Sequence, residues 1–300
     1  MGALTELFEL NSNLKLPDMA QELTYKIEKG AFDAVCELSE QYFYQTLACK
    51  RALQLGSRIY SLAGLDADAL TRCVGNVNHN LMFEFGMALR KILGKARSIQ
   101  ILTKNGTHIK FQMSPNPVFR FILKLRRKRV SGILYPSGKP VQKGQSTFLG
   151  GQLAFKGIPE TIEGTALIDG YLWPPREIGH IDVPIILKIK RGSVIEINGC
   201  PLKSKVLNRW FEGKTKEIQH FCIGFNPGAK LNGKLIEAER VFGHISIGIG
   251  EYPFHTDGIA KNPSILSNDE IIEQDGSFIH KELSILEQNL IHEYQNRRRQ

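Results

Sequence analysis

The chain has 300 residues, 42% of them apolar, with 28 Gly and 13 Pro; this composition fits a folded, loop-rich protein of one large or two smaller domains and excludes a disordered one. No apolar run reaches the length of a membrane span. Much of the net charge of +9 lies in Lys124–Arg129 and Arg297–Arg299, and no nucleic-acid motif or regular aromatic interleaving accompanies it, so an anionic small substrate is expected at least as readily as nucleic acid.

In chain order, Met1–Glu9 carries acids and lacks a cationic start followed by an apolar core, so it does not read as a secretory signal. Glu6 stands where a myristoylation motif needs Ser or Thr. The five cysteines are odd in number and form no CxxC pair, which predicts reduced thiols in a cytoplasmic protein. Met19, Leu23, Ile27 and Ala31 follow Leu16-Pro17-Asp18 at helical spacing. Helical patterns continue through Ala34–Leu53, Asp66–Cys73 and Asn78–Lys95, the last with Leu81, Phe85, Ala88, Leu89 and Ile92 on one side.

From about residue 97 the period changes to two. Ser98–Thr103 and His108–Met113 alternate around Lys104-Asn105-Gly106, a hairpin pattern. Thr165–Asp169 reads as a strand, Val183–Lys190 and Ser193–Ile197 form a second hairpin about Arg191-Gly192, and Gly243–Gly250 reads as another strand. Lys281–Arg298 returns to helix. The expectation is an α+β protein: a helical N-terminal domain over 1–96, then a β-rich, barrel- or sandwich-like metal-binding domain over 97–300 that closes on a C-terminal helix. Gly106, Gly164 and Gly250 are expected at turns that need unusual backbone angles.

One segment carries chemistry. In Phe254-His255-Thr256-Asp257-Gly258, His255 and Asp257 are two apart, so in extended backbone both side chains leave one face. His220 lies in the apolar run Ile218–Gly224, where a solvated histidine is out of place. Two imidazoles and a carboxylate form the 2-His-1-carboxylate set that leaves metal coordination positions open, as in non-heme Fe(II) oxygenases.

Several segments, in order, carry a resemblance: Asn105–Phe111, Gly150-Gly151-Gln152, Glu163–Gly170, Ile223–Pro227, Glu239–Gly243, Ile247–Gly250 and His255–Gly258. Together they resemble the superfamily that joins the M29 (aminopeptidase T) metallopeptidases to the 2,5-dihydroxypyridine 5,6-dioxygenases. The similarity covers about residues 75 to 280, and the N-terminal 75 residues match less clearly. The resemblance places Gln152, His220 and Ser246 where the peptidase branch has metal ligands, while His255 and Asp257 are retained. Against the dioxygenase branch, His220, Ser246, His255 and Asp257 all match.

The resemblance therefore implies a mononuclear Fe(II) dioxygenase that acts with O2 on a small hydroxylated aromatic or heteroaromatic molecule. His220, His255 and Asp257 would be its metal ligands, and Ser246 or His244 would handle protons. Glu239 is a candidate to order a metal-binding histidine. Relatives assemble, so a homo-oligomer is expected. The alternatives are a hydrolase built on a single Zn(II) and a non-catalytic binding protein.

Overall fold

The computed structural model describes residues 24–27, 32–38, 46–114, 132–134, 136–139 and 142–299. The expected helix over 19–31 lies outside these apart from 24–27, which are helical, and the basic segment 124–129 lies outside them entirely. The chain divides into two compact units, Met1–Gly64 with Pro140–Phe148, and Leu65–Lys139 with Leu149–Gln300.

The smaller unit contains three parallel strands in the order Ala34–Glu37, Arg58–Ser61, Ser146–Phe148. Parallel neighbours need a crossover, and the helix Leu47–Gln54 lies on the connection between the first two. The Thr46 hydroxyl caps that helix by accepting from the Cys49 amide at 3.2 Å. Ala48, Cys49 and Ala52 then pack on Ile27 and Ile59. The continuous helical pattern read over Ala34–Leu53 is corrected here: Ala34–Glu37 is a strand, and helix begins at Leu47.

The larger unit is built on two open sheets. One has the order Gly179–His180, Tyr171–Trp173, Thr256–Lys261, His244–Ile249, Ile218–Gly224, Gln152–Lys156, Gly132–Ile133. The other runs Ser193–Gly199, Ile185–Lys190, Glu163–Ile168, His108–Gln112, Ser98–Leu102, Ser264–Ser267, Glu270–Gln274, Ser277–Phe278. Both expected hairpins are present, with Ser98 opposite Gln112 and Ile185 opposite Gly199. Of the two sheet forms expected, the closed barrel is overturned: among the described residues the end strands of each sheet do not pair with each other.

The inner faces of the sheets interdigitate in one core. Phe111 of one sheet stacks on Phe221 of the other, with centroids 4.8 Å apart and rings 5° from parallel. Such a pair contributes roughly 0.5–1.5 kcal/mol beyond its burial. The helix His79–Leu93 is capped by Asn78, buries Phe85 and packs beside the C-terminal helix Lys281–Arg297. Phe85 closes an aromatic cluster with Phe225, Phe242 and Phe278. Gly106, Gly164 and Gly250 all have positive φ, at 113°, 131° and 76°. No helix among the described residues is long and apolar enough to cross a membrane.

One core position breaks the apolar rule. Glu273, on the strand Glu270–Gln274, is fully buried, and neither carboxyl oxygen has a hydrogen-bond partner. Burial, reinforced by Glu287 of the C-terminal helix, pushes its pKa well above the ordinary carboxylate value. With the folded value above the unfolded one, the stability associated with this group is fully present at acid pH and is lost as pH rises through the folded pKa. Glu273→Met should therefore raise the melting temperature, by the equivalent of roughly 1–3 kcal/mol at about pH 8 and less at about pH 5. Equal stabilisation at both pH values, measured by thermal unfolding, would contradict this account.

Candidate metal centre

The site follows from strand parity. Along His244–Ile249, Ile245, Ile247 and Ile249 face the core, which turns His244, Ser246 and Gly248 to the opposite face. On Ile218–Gly224, Phe221 and Ile223 face the core, so His220 and Cys222 turn outward. Register sets the partners: Gly248 lies opposite His220 on one side and Asp257 on the other, and Ser246 lies opposite Cys222 and Ile259. Trp173 flanks Asp257 from the next strand.

His220, His255 and Asp257 meet on this outer face, and one ligand atom from each lies within 4.8 Å of the others. Nε2 of His220 is 3.0 Å from Asp257 Oδ1, and Nε2 of His255 is 3.1 Å from Asp257 Oδ2. The two rings are 5.1 Å apart between centroids. Asp257 is buried, and the rings are half-buried. The Nδ1–H of His255 donates to the Gly250 carbonyl at 2.9 Å, which turns Nε2 inward. A histidine whose far nitrogen is fixed by a backbone carbonyl is oriented as metal-binding histidines are.

The electrostatics agree with this arrangement. Burial alone would raise the Asp257 pKa, yet the two imidazoles hold it far below the usual carboxylate range. Burial opposes charge on His220, but Cys222 and Asp257 outweigh it and raise its pKa well above the ordinary histidine value. His255 is raised as well, against burial, by Asp257. These donors fit a cation: two nitrogens and a carboxylate converge, and each ring is already oriented toward the carboxylate.

Packing holds the loop that carries His255. The Trp210 indole donates to the Phe254 carbonyl at 2.9 Å, and its ring meets Phe254 edge-on at 5.4 Å. Lys214 Nζ lies over the Phe254 ring, 3.8 Å from its centroid, a cation–π pair. The Thr256 hydroxyl donates to the Pro174 carbonyl.

The two residues expected to handle protons are placed differently. The Ser246 hydroxyl lies 3.5 Å from Asp257 Oδ1 and 3.4 Å from Glu239 Oε1. His244 shares the outer face but stands outside the converging group, and its Nδ1–H donates to the Phe242 carbonyl at 3.1 Å. Burial lowers its pKa. Gln152 lies on the same sheet, opposite Gly224.

Sequence reasoning missed Gly248. A Cβ there would meet the His220 ring at 2.5 Å. The imidazole therefore lies across bare backbone. A glycine inside an alternating strand is the signal that could have revealed it.

No family model and no curated protein sequence matches the chain. In three dimensions it is similar to 2,5-dihydroxypyridine dioxygenase from Pseudomonas putida KT2440, with a TM-score of 0.69 and 17% identity over 89% of this chain and 76% of that one. It is also similar to wild-type AmpT from Thermus thermophilus, with a TM-score of 0.56 and 12% identity over 88% of this chain and 80% of that one. These are the two branches named by the sequence motifs, and at such identities the likeness is one of fold. Both neighbours are enzymes.

Gly248→Ala should leave the sheet intact and drive the His220 ring off Asp257. An NMR titration of the ring should then show its pKa falling back toward the ordinary histidine value. An unchanged titration would contradict the steric argument.

Proposed function

We propose that the chain is a metal-dependent enzyme of the mononuclear non-heme Fe(II) dioxygenase type, which oxidises or cleaves the ring of a small hydroxylated aromatic or heteroaromatic molecule with O2. The observation that supports this most is the convergence of His220, His255 and Asp257 within 4.8 Å. Two nitrogen ligands and one carboxylate on one side of an ion form the facial arrangement of such enzymes. Fe(II), when bound, would pass electron density from an electron-rich ring to O2, so that the substrate itself is the reductant.

This chain's own residues would do the rest. His220, His255 and Asp257 would hold the ion from the sheet side, and Gly248 would leave room for the His220 ring. Trp173, paired with Asp257 in the sheet and packed on Tyr171, Ala238 and Ile259, would offer an aromatic wall for a planar ring. The Ser246 hydroxyl, within 3.5 Å of Asp257, would take part in moving the substrate's protons. We read the protein as a cytoplasmic homo-oligomer whose partners are its substrate and O2, with neither nucleic acid nor a membrane involved.

The fold likeness to AmpT keeps a second reading: hydrolysis with one Zn(II) and a water activated by it. A two-metal peptidase site is disfavoured, because by the sequence resemblance Gln152, His220 and Ser246 stand in place of peptidase ligands.

Protein purified without oxygen and loaded with Fe(II) should take up O2 with a dihydroxylated pyridine or benzene. His255→Ala should lower metal affinity by about 100-fold or more and abolish uptake. Because Asp257 raises both imidazole pKa values, protons should compete with the metal from a higher pH than for ordinary histidines, so loading weakens toward acid. Full metal content in His255→Ala, or oxygen-independent peptide cleavage by the zinc-loaded protein, would overturn the dioxygenase reading.

A further inference from the structure

A second carboxylate faces this site and the reading above gives it no task. Glu239 follows the short helix Leu235–Ala238, and its carboxylate is fixed at one end only. Oε2 is paired with the Arg240 guanidinium. Arg240 is itself only 2% exposed, and its Nε–H donates to the Leu149 carbonyl at 3.2 Å. Oε1 is left pointing at the Ser246 hydroxyl, 3.4 Å away.

Ser246 therefore stands between two carboxylates and has one proton to give. Asp257 Oδ1 already accepts from His220 Nε2 at 3.0 Å. Glu239 Oε1 has Ser246 as its hydrogen-bond donor among the described residues. His244, the other acid–base candidate on this face, is turned to the Phe242 carbonyl. We propose that Ser246 and Glu239 form a proton relay, in which Glu239 takes up the proton released by a substrate hydroxyl bound at the metal centre.

The step balances without a redox partner. The substrate O–H bond breaks as a new O–H bond forms on Ser246 Oγ, while the original Ser246 proton passes to Glu239 Oε1. The substrate oxygen keeps the electron pair and becomes anionic, and Glu239 becomes a neutral carboxylic acid. Accepting a proton removes the repulsion between Glu239 and the ionised Asp257 in a dry setting, where like charges are costly. The relay would also explain the hydroxyl at 246: an alanine would fill the strand face equally well but conduct nothing.

This inference rests on the metal-centre reading, and the test separates the two. The probe is 4-nitrocatechol, a chelating dihydroxy aromatic whose visible absorption reports how many of its hydroxyls are ionised. It is titrated onto Zn(II)-loaded protein, which needs neither O2 nor turnover. In the native chain the probe should bind fully ionised near neutral pH. In Glu239→Gln, stopped-flow absorption should show the zinc-bound probe losing its second proton at least about ten-fold more slowly than in the native chain, with zinc stoichiometry unchanged. Ser246→Ala should produce the same slowing, which gives an independent variant should Glu239→Gln not fold, and Glu239→Asp should recover part of the rate.

Unchanged rates in both variants would overturn the relay and leave Glu239 as a partner of Arg240 alone. Loss of zinc in Glu239→Gln would also overturn it, by making Glu239 part of the ion site. If the native chain binds no zinc, or binds zinc but not the probe, the metal-centre reading itself fails and the relay falls with it.

Discussion

A strand that buries one face must present the other, and this constraint organises the larger unit. Ile245, Ile247 and Ile249 belong to the core. By alternation the residues between them, His244, Ser246 and Gly248, face outward. The neighbouring strands obey the same rule in register, so His220 and Asp257 come to either side of Gly248. The site is thus the reverse side of the hydrophobic core, and a slip of one residue in any of these strands would send an imidazole or a carboxylate into the apolar interior. The cost of burying an unpaired charge makes the register and the site mutually dependent.

Asp257 makes that dependence specific. It is buried and ionised, which is tolerable because each of its oxygens meets an imidazole. One imidazole comes from the strand on the far side of Gly248 and the other from a loop held by Trp210, Phe254 and the Gly250 carbonyl. Rigid sheet supplies two of the three donors, and the third is fixed by aromatic packing rather than by secondary structure. A loop can be re-aimed by substitutions away from the donor itself, such as those at Trp210 or Lys214, whereas the sheet positions cannot.

Much of this was legible in the sequence, for local reasons. The hairpins at Ser98–Gln112 and Ile185–Gly199 showed themselves because alternation and turn residues lie close together in the chain. The pairing of His255 with Asp257 followed from a spacing of two. His220 stood out as a polar residue in an apolar run. Other features were hidden because they depend on distant neighbours. Ala34–Glu37 sits among helix formers and becomes a strand only beside Arg58–Ser61. Whether the sheets close into a barrel is decided by strands far apart in sequence. The orientation of Glu239 depends on Arg240 and the Leu149 carbonyl, which no local pattern encodes.

The bare backbone under the His220 ring also couples two positions. With a side chain at 248, the imidazole at 220 would collide with it where it now lies. Substitutions at the two positions are therefore non-additive: enlarging residue 248 costs most while the histidine is present and least once residue 220 has been made small.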